Sequence, residues 1–239
     1  MGYLEDIGSW TASEVAKRRD TRHFAGALAG EGLSIIAEVK RASPSQGQIV
    51  RDANPVAVAK AYEAAGASAI SVLTSERDFG GSLADLEAVR RAVDVPLLAK
   101  DFYVDPWQVI EARTHGADAI LVIMAMVEDS LAQELSLQAE DLDMDVLCEV
   151  HTEDELRRAL HLGFPLIGVN ARNLNTMEIE PAVQQRLLRA VPKGFLTVAE
   201  SGISSREDAI AIKGTGCHAA LVGTALMRDP GLIQELVGL

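Results

Sequence analysis

Eight short apolar runs, each followed by an amphipathic segment, constrain this chain more than any other feature of its sequence. They read LSIIAEVK (33–40), ASAISVLT (67–74), VPLLAK (95–100), ADAILVIMA (117–125), DVLCEV (145–150), PLIGVN (165–170), FLTVAE (195–200) and HAALVGT (218–224). Each is rich in Ile, Val and Leu and mostly unbroken rather than alternating. That is the pattern of a strand buried on both faces in a parallel sheet. The segments between them carry helix punctuation. Asn54-Pro55, Asp105-Pro106 and Asp229-Pro230 each put a capping side chain before a proline suited to the first helical position. Thr152 with Glu155, and Ser204 with Glu207, fit capping boxes. Gly66, Gly116, Gly163 and Gly216 mark helix ends at intervals of about fifty residues, which fits two βα units per repeat. Eight βα units in sequence predict an α/β fold, a closed (β/α)8 TIM barrel. An open doubly wound sheet is the competitor, but it usually has fewer strands at this length.

No linker or low-complexity segment interrupts the runs, so residues 33–239 are expected to form one barrel domain, with 1–32 as a short N-terminal extension. Thr11 and Glu14 fit the cap of a short helix there, covering the barrel's N-terminal side or approaching its mouth. A length of 239 residues suits a single α/β barrel. The net charge of −13 argues against an electrostatic nucleic-acid binder. The longest apolar run, Ala119 to Val127, is too short to span a membrane. The opening MGYLEDIGSW reads as no signal peptide, and Asp6 breaks the myristoylation pattern. Two cysteines, Cys148 and Cys217, make neither a disulfide framework nor a zinc ribbon. The expectation is a cytoplasmic enzyme with neither nucleic acid nor membrane as partner.

In a parallel barrel the chemistry sits where the strands end and the βα loops begin. The first run ends in Glu38 and Lys40, spaced by two and so facing the same way. The third ends in Lys100, the fifth in Glu149, and the sixth in Asn170 with Arg172 just beyond. The seventh ends in Glu200-Ser201-Gly202 and the eighth in Gly223-Thr224. Ionisable groups inside apolar runs are costly unless paired. Only six lysines occur in the chain, and two of them stand at strand ends. The plain alternative is a set of structural ion pairs closing the barrel mouth. Gly202 and Gly223-Thr224 offer backbone N–H groups for an anion, or are simply loop glycines.

Other candidates are weaker. Cys148 and His151 form a lone C-x-x-H, and two ligands do not make a zinc site. Cys148 is expected to face the helices, opposite to Glu149. His115 and His161 precede helix-ending glycines, where a cation suits the dipole, while His23 and His218 have no evident partner. No P-loop, dinucleotide fingerprint or HExxH is present, so neither a nucleotide cofactor nor a metal is expected.

Several segments resemble one family. IIAEVKRASPSQG (35–47), LLAKDFYVD (97–105), LCEVHTEDEL (147–156), IGVNARNL (167–174), VAESGI (198–203) and ALVGTALM (220–227) resemble indole-3-glycerol phosphate synthase, in order, from about residue 33 to the end. AEVKRASPS is specific to that family, whereas VAESGI and LVGTALM are shared with other phosphate-binding barrels. The resemblance implies a (β/α)8 barrel and a step of tryptophan biosynthesis. The reaction it implies is closure of the pyrrole ring of 1-(2-carboxyphenylamino)-1-deoxyribulose 5-phosphate, with loss of carbon dioxide and water and no cofactor. It implies Lys100 as general acid, Glu149 as general base, and Lys40 as a substrate contact that assists the acid chemistry. It implies that Glu38, Asn170, Glu200 and Ser201 orient the substrate and those lysines, and that Arg172 binds substrate. Ser43, Gly202, Gly223 and Thr224 match phosphate-binding positions, and Phe79, Phe102, Leu121, Ile123 and Leu174 match an apolar aryl pocket. Two departures stand out: a shorter stretch before the first strand, and Ala99 where an arginine is common.

The residues suit such chemistry on their own terms. Ring closure needs a proton on a ketone oxygen and later a carboxylate to take one away. A partly desolvated lysine with a second cation nearby is expected to have its pKa lowered toward working pH. Attraction of a phosphorylated, carboxylated substrate to a chain at −13 has to be local, from Lys40, Lys100, Arg172 and loop N–H groups. Three other readings remain at this point. They are another sugar-phosphate barrel such as phosphoribosylanthranilate isomerase, a Schiff-base aldolase with Lys100 as nucleophile, and a barrel that binds without turnover.

Overall fold

The computed structural model describes residues 21–40, 42–43, 47–48, 53–174 and 176–239, with 42–43 and 47–48 as backbone only. Eight parallel strands close into a barrel. They are β1 (Ser34–Val39), β4 (Ala69–Leu73), β5 (Leu97–Lys100), β6 (Ala119–Ile123), β7 (Asp145–Val150), β8 (Leu166–Asn170), β9 (Leu196–Glu200) and β10 (Ala219–Val222). Closure comes from β10 pairing with β1, Ser34 lying beside Ala219. Every expected run is a strand. One feature was not anticipated: the loop after β1 carries a small antiparallel hairpin of β2 (Ala42–Ser43) and β3 (Gly47–Gln48).

The unbroken apolar runs reflect two buried layers. Alternate residues Ile36, Leu98, Leu121, Leu147, Leu166, Val198 and Leu221 fill the barrel. Their neighbours Ile35, Leu97, Ile120, Cys148, Ile167, Ala199 and Ala220 pack outward under the helices. Cys148 therefore belongs to the core, as expected. Both cysteines are free and buried.

The helices are α1 (Phe24–Leu28), α2 (Pro55–Ala64), α3 (Glu76–Phe79), α4 (Leu83–Arg90), α5 (Pro106–Thr114), α6 (Asp129–Asp141), α7 (Glu153–Leu162), α8 (Pro181–Ala190), α9 (Arg206–Lys213), α10 (Thr224–Arg228) and α11 (Leu232–Leu236). Asn54 caps α2 by accepting from the Val56 and Ala57 amides, and Asp105 with Gln108 makes a complete capping box on α5. Three sequence expectations need correction. Thr152 caps α7, but the Glu155 carboxylate turns to the His151 amide at 2.7 Å, leaving half a box. The box on α9 is Ser205 with Asp208, one residue later than expected, because Asp208 also receives the Ser204 amide and hydroxyl. Asp229-Pro230 opens no helix: α10 runs up to Arg228, so Asp229 closes it, and Gly231 caps α11. Asp229 still accepts the Gly231 amide at 3.0 Å, an Asx-type turn.

The described part of the N-terminal stretch packs against the barrel's N-terminal side. Phe24 and Leu28 of α1 are fully buried and join the barrel interior. The Arg22 amide bonds the buried Asp118 carboxylate just before β6, and the Ala25 amide bonds Asp145 at the start of β7. All these anchors lie at strand N-termini, so α1 plugs the bottom of the barrel. The helix expected around Thr11 and Glu14 lies outside the described residues. Among the described residues, no helix is long and apolar enough to cross a membrane.

Candidate active site

The alternation that fills the barrel also builds its mouth. Residues spaced by two along a strand face the same way. The interior set Ile36, Leu98, Leu147, Leu166, Val198 and Leu221 thus continues into Glu38, Lys100, Glu149, Gly168, Glu200 and Gly223. Gly168 leads on to Asn170. Strand register then sets the neighbours, with Asn170 beside Glu200, Gly168 beside Glu149, and Lys100 beside Leu73.

Lys100 stands at the centre. Its Nζ lies 3.1 Å from Glu200 Oε2, 3.8 Å from Glu149 Oε2 and 3.9 Å from Glu38 Oε2. Lys40 pairs with Glu38 at 2.6 Å. Asn170 donates its Nδ2–H to Glu149 Oε1 at 3.1 Å and accepts the Arg172 amide at 2.9 Å. Below the site, Gln184 of α8 donates to the carbonyls of Val169 and Glu200, each at 2.8 Å, and so ties β8 to β9. Glu149 and Glu200 are almost wholly buried, at 2% and 1% exposure.

Burial by itself would neutralise these groups, so the pairing decides their charge. Burial pulls the Lys100 pKa down, but Glu200, Glu149 and Glu38 outweigh it and hold the ammonium well above its ordinary value. This corrects the expectation of a lowered lysine pKa. The second cation, Lys40, is taken up by Glu38 and does not act as an unshielded neighbour. Burial raises the Glu149 carboxyl, yet His151, Lys100 and Asn170 bring it below the usual carboxylate range. Glu38 is likewise lowered against burial, by Lys40 and Lys100. Glu200 goes the other way, pushed up by burial and by the Glu149 charge despite Lys100. The site therefore holds a charged ammonium, two carboxylates kept ionised and one carboxyl driven toward neutrality. Environments that push titrating groups apart in this way mark acid and base roles.

A cavity of about 670 Å³ opens over this cluster, a size that suits a small-molecule ligand. Glu38, Lys40, Lys100, Glu149, Asn170, Arg172, Glu200, Ser201, Gly202, Gly223 and Thr224 all line it. So do the expected apolar residues Phe79, Phe102, Leu121, Ile123 and Leu174. The Phe79 and Phe102 rings are 5.8 Å apart and form one wall. Of the sequence-derived set, only Ser43 is not placed: its backbone is in β2 and its side chain lies outside the described residues. Ser201 and Gly202 have φ of +64° and +75°, turning the chain sharply after β9. A Cβ on Gly223 would collide with the Glu38 carboxylate and crowd Lys40, so the Glu38–Lys40 pair requires the glycine. Ala99 points outward, fully buried under the helices, on the side of β5 opposite to Lys100. Its departure from the family pattern leaves the cavity lining untouched.

Sequence reading missed some residues. Arg228, Met177 and Ile179 also line the cavity, the last two from a loop closed by an Arg172–Ile179 bridge. His151, weighed only as half of a metal motif, has Nε2 at 3.1 Å from Glu149 Oε1. Among the described residues, no group of three or more His, Cys, Asp or Glu is arranged to hold a metal ion.

Comparison with known proteins points one way. The sequence model of the family described as indole-3-glycerol phosphate synthase matches residues 6–238. Indole-3-glycerol phosphate synthase 1 of Streptomyces coelicolor is 48% identical over 217 residues, covering 90% of this chain and 81% of that protein. The indole-3-glycerol phosphate synthase of a Parafrankia species is 50% identical over 213 residues, covering 88% and 80%. Among solved structures, one described as "Native KDPGal structure" superposes with a TM-score of 0.63 at 16% identity, covering 87% of this chain and 94% of that one. A designed cube-shaped protein cage built from fused oligomeric domains gives 0.63 at 18% identity, covering 86% and 71%. At those identities the two structures speak for the barrel fold alone.

Proposed function

The chain belongs to the indole-3-glycerol phosphate synthase family, and we propose that the carboxylate-ringed Lys100 is where its ring closure takes place. The enzyme is a carboxy-lyase of tryptophan biosynthesis. It closes the pyrrole ring of 1-(2-carboxyphenylamino)-1-deoxyribulose 5-phosphate with release of carbon dioxide and water. The observation that carries the assignment is the contact of one half-buried ammonium with three buried carboxylates at 3.1, 3.8 and 3.9 Å, in a cavity with an apolar wall.

In the proposed sequence the aryl ring lies against Phe79, Phe102, Leu121, Ile123 and Leu174. Its carboxylated carbon attacks the ketone carbon while Lys100 gives a proton to the ketone oxygen. Carbon dioxide then leaves the attacking ring carbon, and the pair of the broken bond returns to the ring. The new hydroxyl departs as water with a proton from Lys40, and Glu149 takes the proton from the adjacent carbon. Asn170 holds Glu149, Glu38 holds Lys40, and Glu200 with Ser201 positions Lys100 and substrate. Positioned proton transfer of this kind contributes ~10²–10⁴-fold per step. The raised pKa of Lys100 supports the acid role over the imine role, because an imine requires the free amine.

In this reading the phosphate binds against Gly202, Gly223 and Thr224, which line the cavity together with Arg172 and Arg228. These local donors answer the net charge of −13. Arg228→Ala is expected to weaken competitive inhibition by inorganic phosphate about tenfold, the loss of roughly one charge-assisted hydrogen bond. Inhibition constants measured for both proteins check this, and an unchanged constant would move the phosphate elsewhere. Gly223→Val is a poorer probe, since it also strikes Glu38. The buried free thiols of Cys148 and Cys217 favour the reducing cytoplasm as compartment. Indole fluorescence that rises when the purified chain meets the synthetic substrate supports the assignment. Substrate left unconverted, with the barrel folded, would favour a binding barrel.

A further inference from the structure

Next to the cavity over Lys100, and sharing Asn170 and Arg172 with it, lies a second and more polar cavity of about 480 Å³. It opens between the loops after β7 and β8 and is lined by His151, Glu155, Asn170, Arg172 and Arg186, among others. Asn170, Arg172 and Leu174 line both cavities, and His151 stands in the second of them against Glu149. His151 Nε2 is 3.1 Å from Glu149 Oε1, and its Nδ1 is 3.2 Å from Glu155 Oε2 on α7. Glu155 also accepts the His151 amide at 2.7 Å, so both the backbone and the ring of His151 are held by one carboxylate. The Nε2 contact has the geometry of an ion pair rather than of an aligned hydrogen bond.

We propose that His151 is a positioning residue whose imidazolium, clamped by Glu155, keeps Glu149 ionised and ready to take the proton released in ring closure. The proposal rests on the reading of Glu149 as the base. Its physical need is plain from the neighbours. Glu149 is faced by Lys100 from β5, Glu38 from β1, Glu200 from β9 and the neutral Asn170 from β8. Glu38 has its own cation in Lys40, and Lys100 lies closer to Glu200, at 3.1 Å, than to Glu149, at 3.8 Å. Without a second cation, the only ammonium near the buried Glu149 carboxylate would stand beyond hydrogen-bond distance. His151 supplies that charge from outside the lining of the cavity over Lys100. His151 itself is faced by Glu149 and Glu155. Burial lowers its pKa, but these two carboxylates bring it up to about 9, so the ring stays charged at neutral pH.

The test is a carboxyl-carbon NMR titration of the intact enzyme labelled at glutamate, with the Glu149 signal identified by its loss in Glu149→Gln. The expected midpoint for Glu149 lies below the usual carboxylate range. In His151→Gln, which keeps a polar side chain without the charge, it rises by about one unit or more. In the same variant kcat falls with KM little changed. The unaltered protein gives a second reading: the Glu149 signal steps when the imidazole titrates near pH 9. A midpoint that stays put in His151→Gln, or no step near that pH, overturns the proposal. Full activity in Glu149→Gln overturns instead the underlying assignment of the base, so the two failures are told apart.

Discussion

Lys100→Ala is expected to lose nearly all indole formation, with kcat reduced by at least ~10²–10⁴-fold. That range corresponds to losing the acid alone. A further loss follows because Lys100 also offsets the buried Glu149 charge, which without it would repel the substrate's phosphate and carboxylate. The fold is expected to survive. Lys100 sits above the apolar layers that fill the barrel, and Glu200, already pushed toward neutrality, can take up a proton when the ammonium is gone. Circular dichroism and thermal unfolding alongside steady-state kinetics check both halves. A Lys100→Ala enzyme with near-normal kcat would remove Lys100 from the chemistry.

Glu149→Gln is expected to cut kcat by about 10²-fold or more while leaving stability near that of the parent. The amide keeps the shape and still meets Asn170 and His151, but it cannot accept the proton that restores aromaticity. Its neighbour provides the internal control. Cys148 lies in the layer under the helices, and burial pushes its thiol well above the ordinary range, so it has no reactive thiolate. Cys148→Ser should therefore lower the melting temperature and spare kcat, because it buries a hydroxyl in an apolar layer. Paired kinetic and unfolding measurements on the two variants settle which face of β7 carries the chemistry. The reverse ranking would mean that the strand faces have been exchanged.

The eight strands were legible because each is buried on both faces, which writes an unbroken apolar word into the sequence. The rim was legible for a related reason: Glu38, Lys100, Glu149 and Glu200 interrupt those words at one end. The hairpin of β2 and β3 was not, since strands of two residues carry no periodicity. The Asp229-Pro230 cap failed because helices of five residues on either side of it leave too little pattern to phase. His151 was missed although a signal existed. Glu149 and His151 are two residues apart, the same relation that drew attention to Glu38 and Lys40. The intervening C-x-x-H pattern directed thought to metal ligation instead. The sign of the Lys100 shift was misjudged for a deeper reason. Its three carboxylates come from β1, β7 and β9, and linear order does not reveal how close they converge.

The central claim is that Lys100 moves a proton and makes no bond to carbon. It is tested most directly by adding borohydride while the enzyme forms indole and then weighing the intact chain. An imine would consume the ketone oxygen that ring closure needs protonated and expelled as water, and borohydride would fix it as a stable adduct. The account predicts indole product and a chain of unchanged mass. A reduced substrate adduct mapped to Lys100 would contradict it and make the lysine a nucleophile.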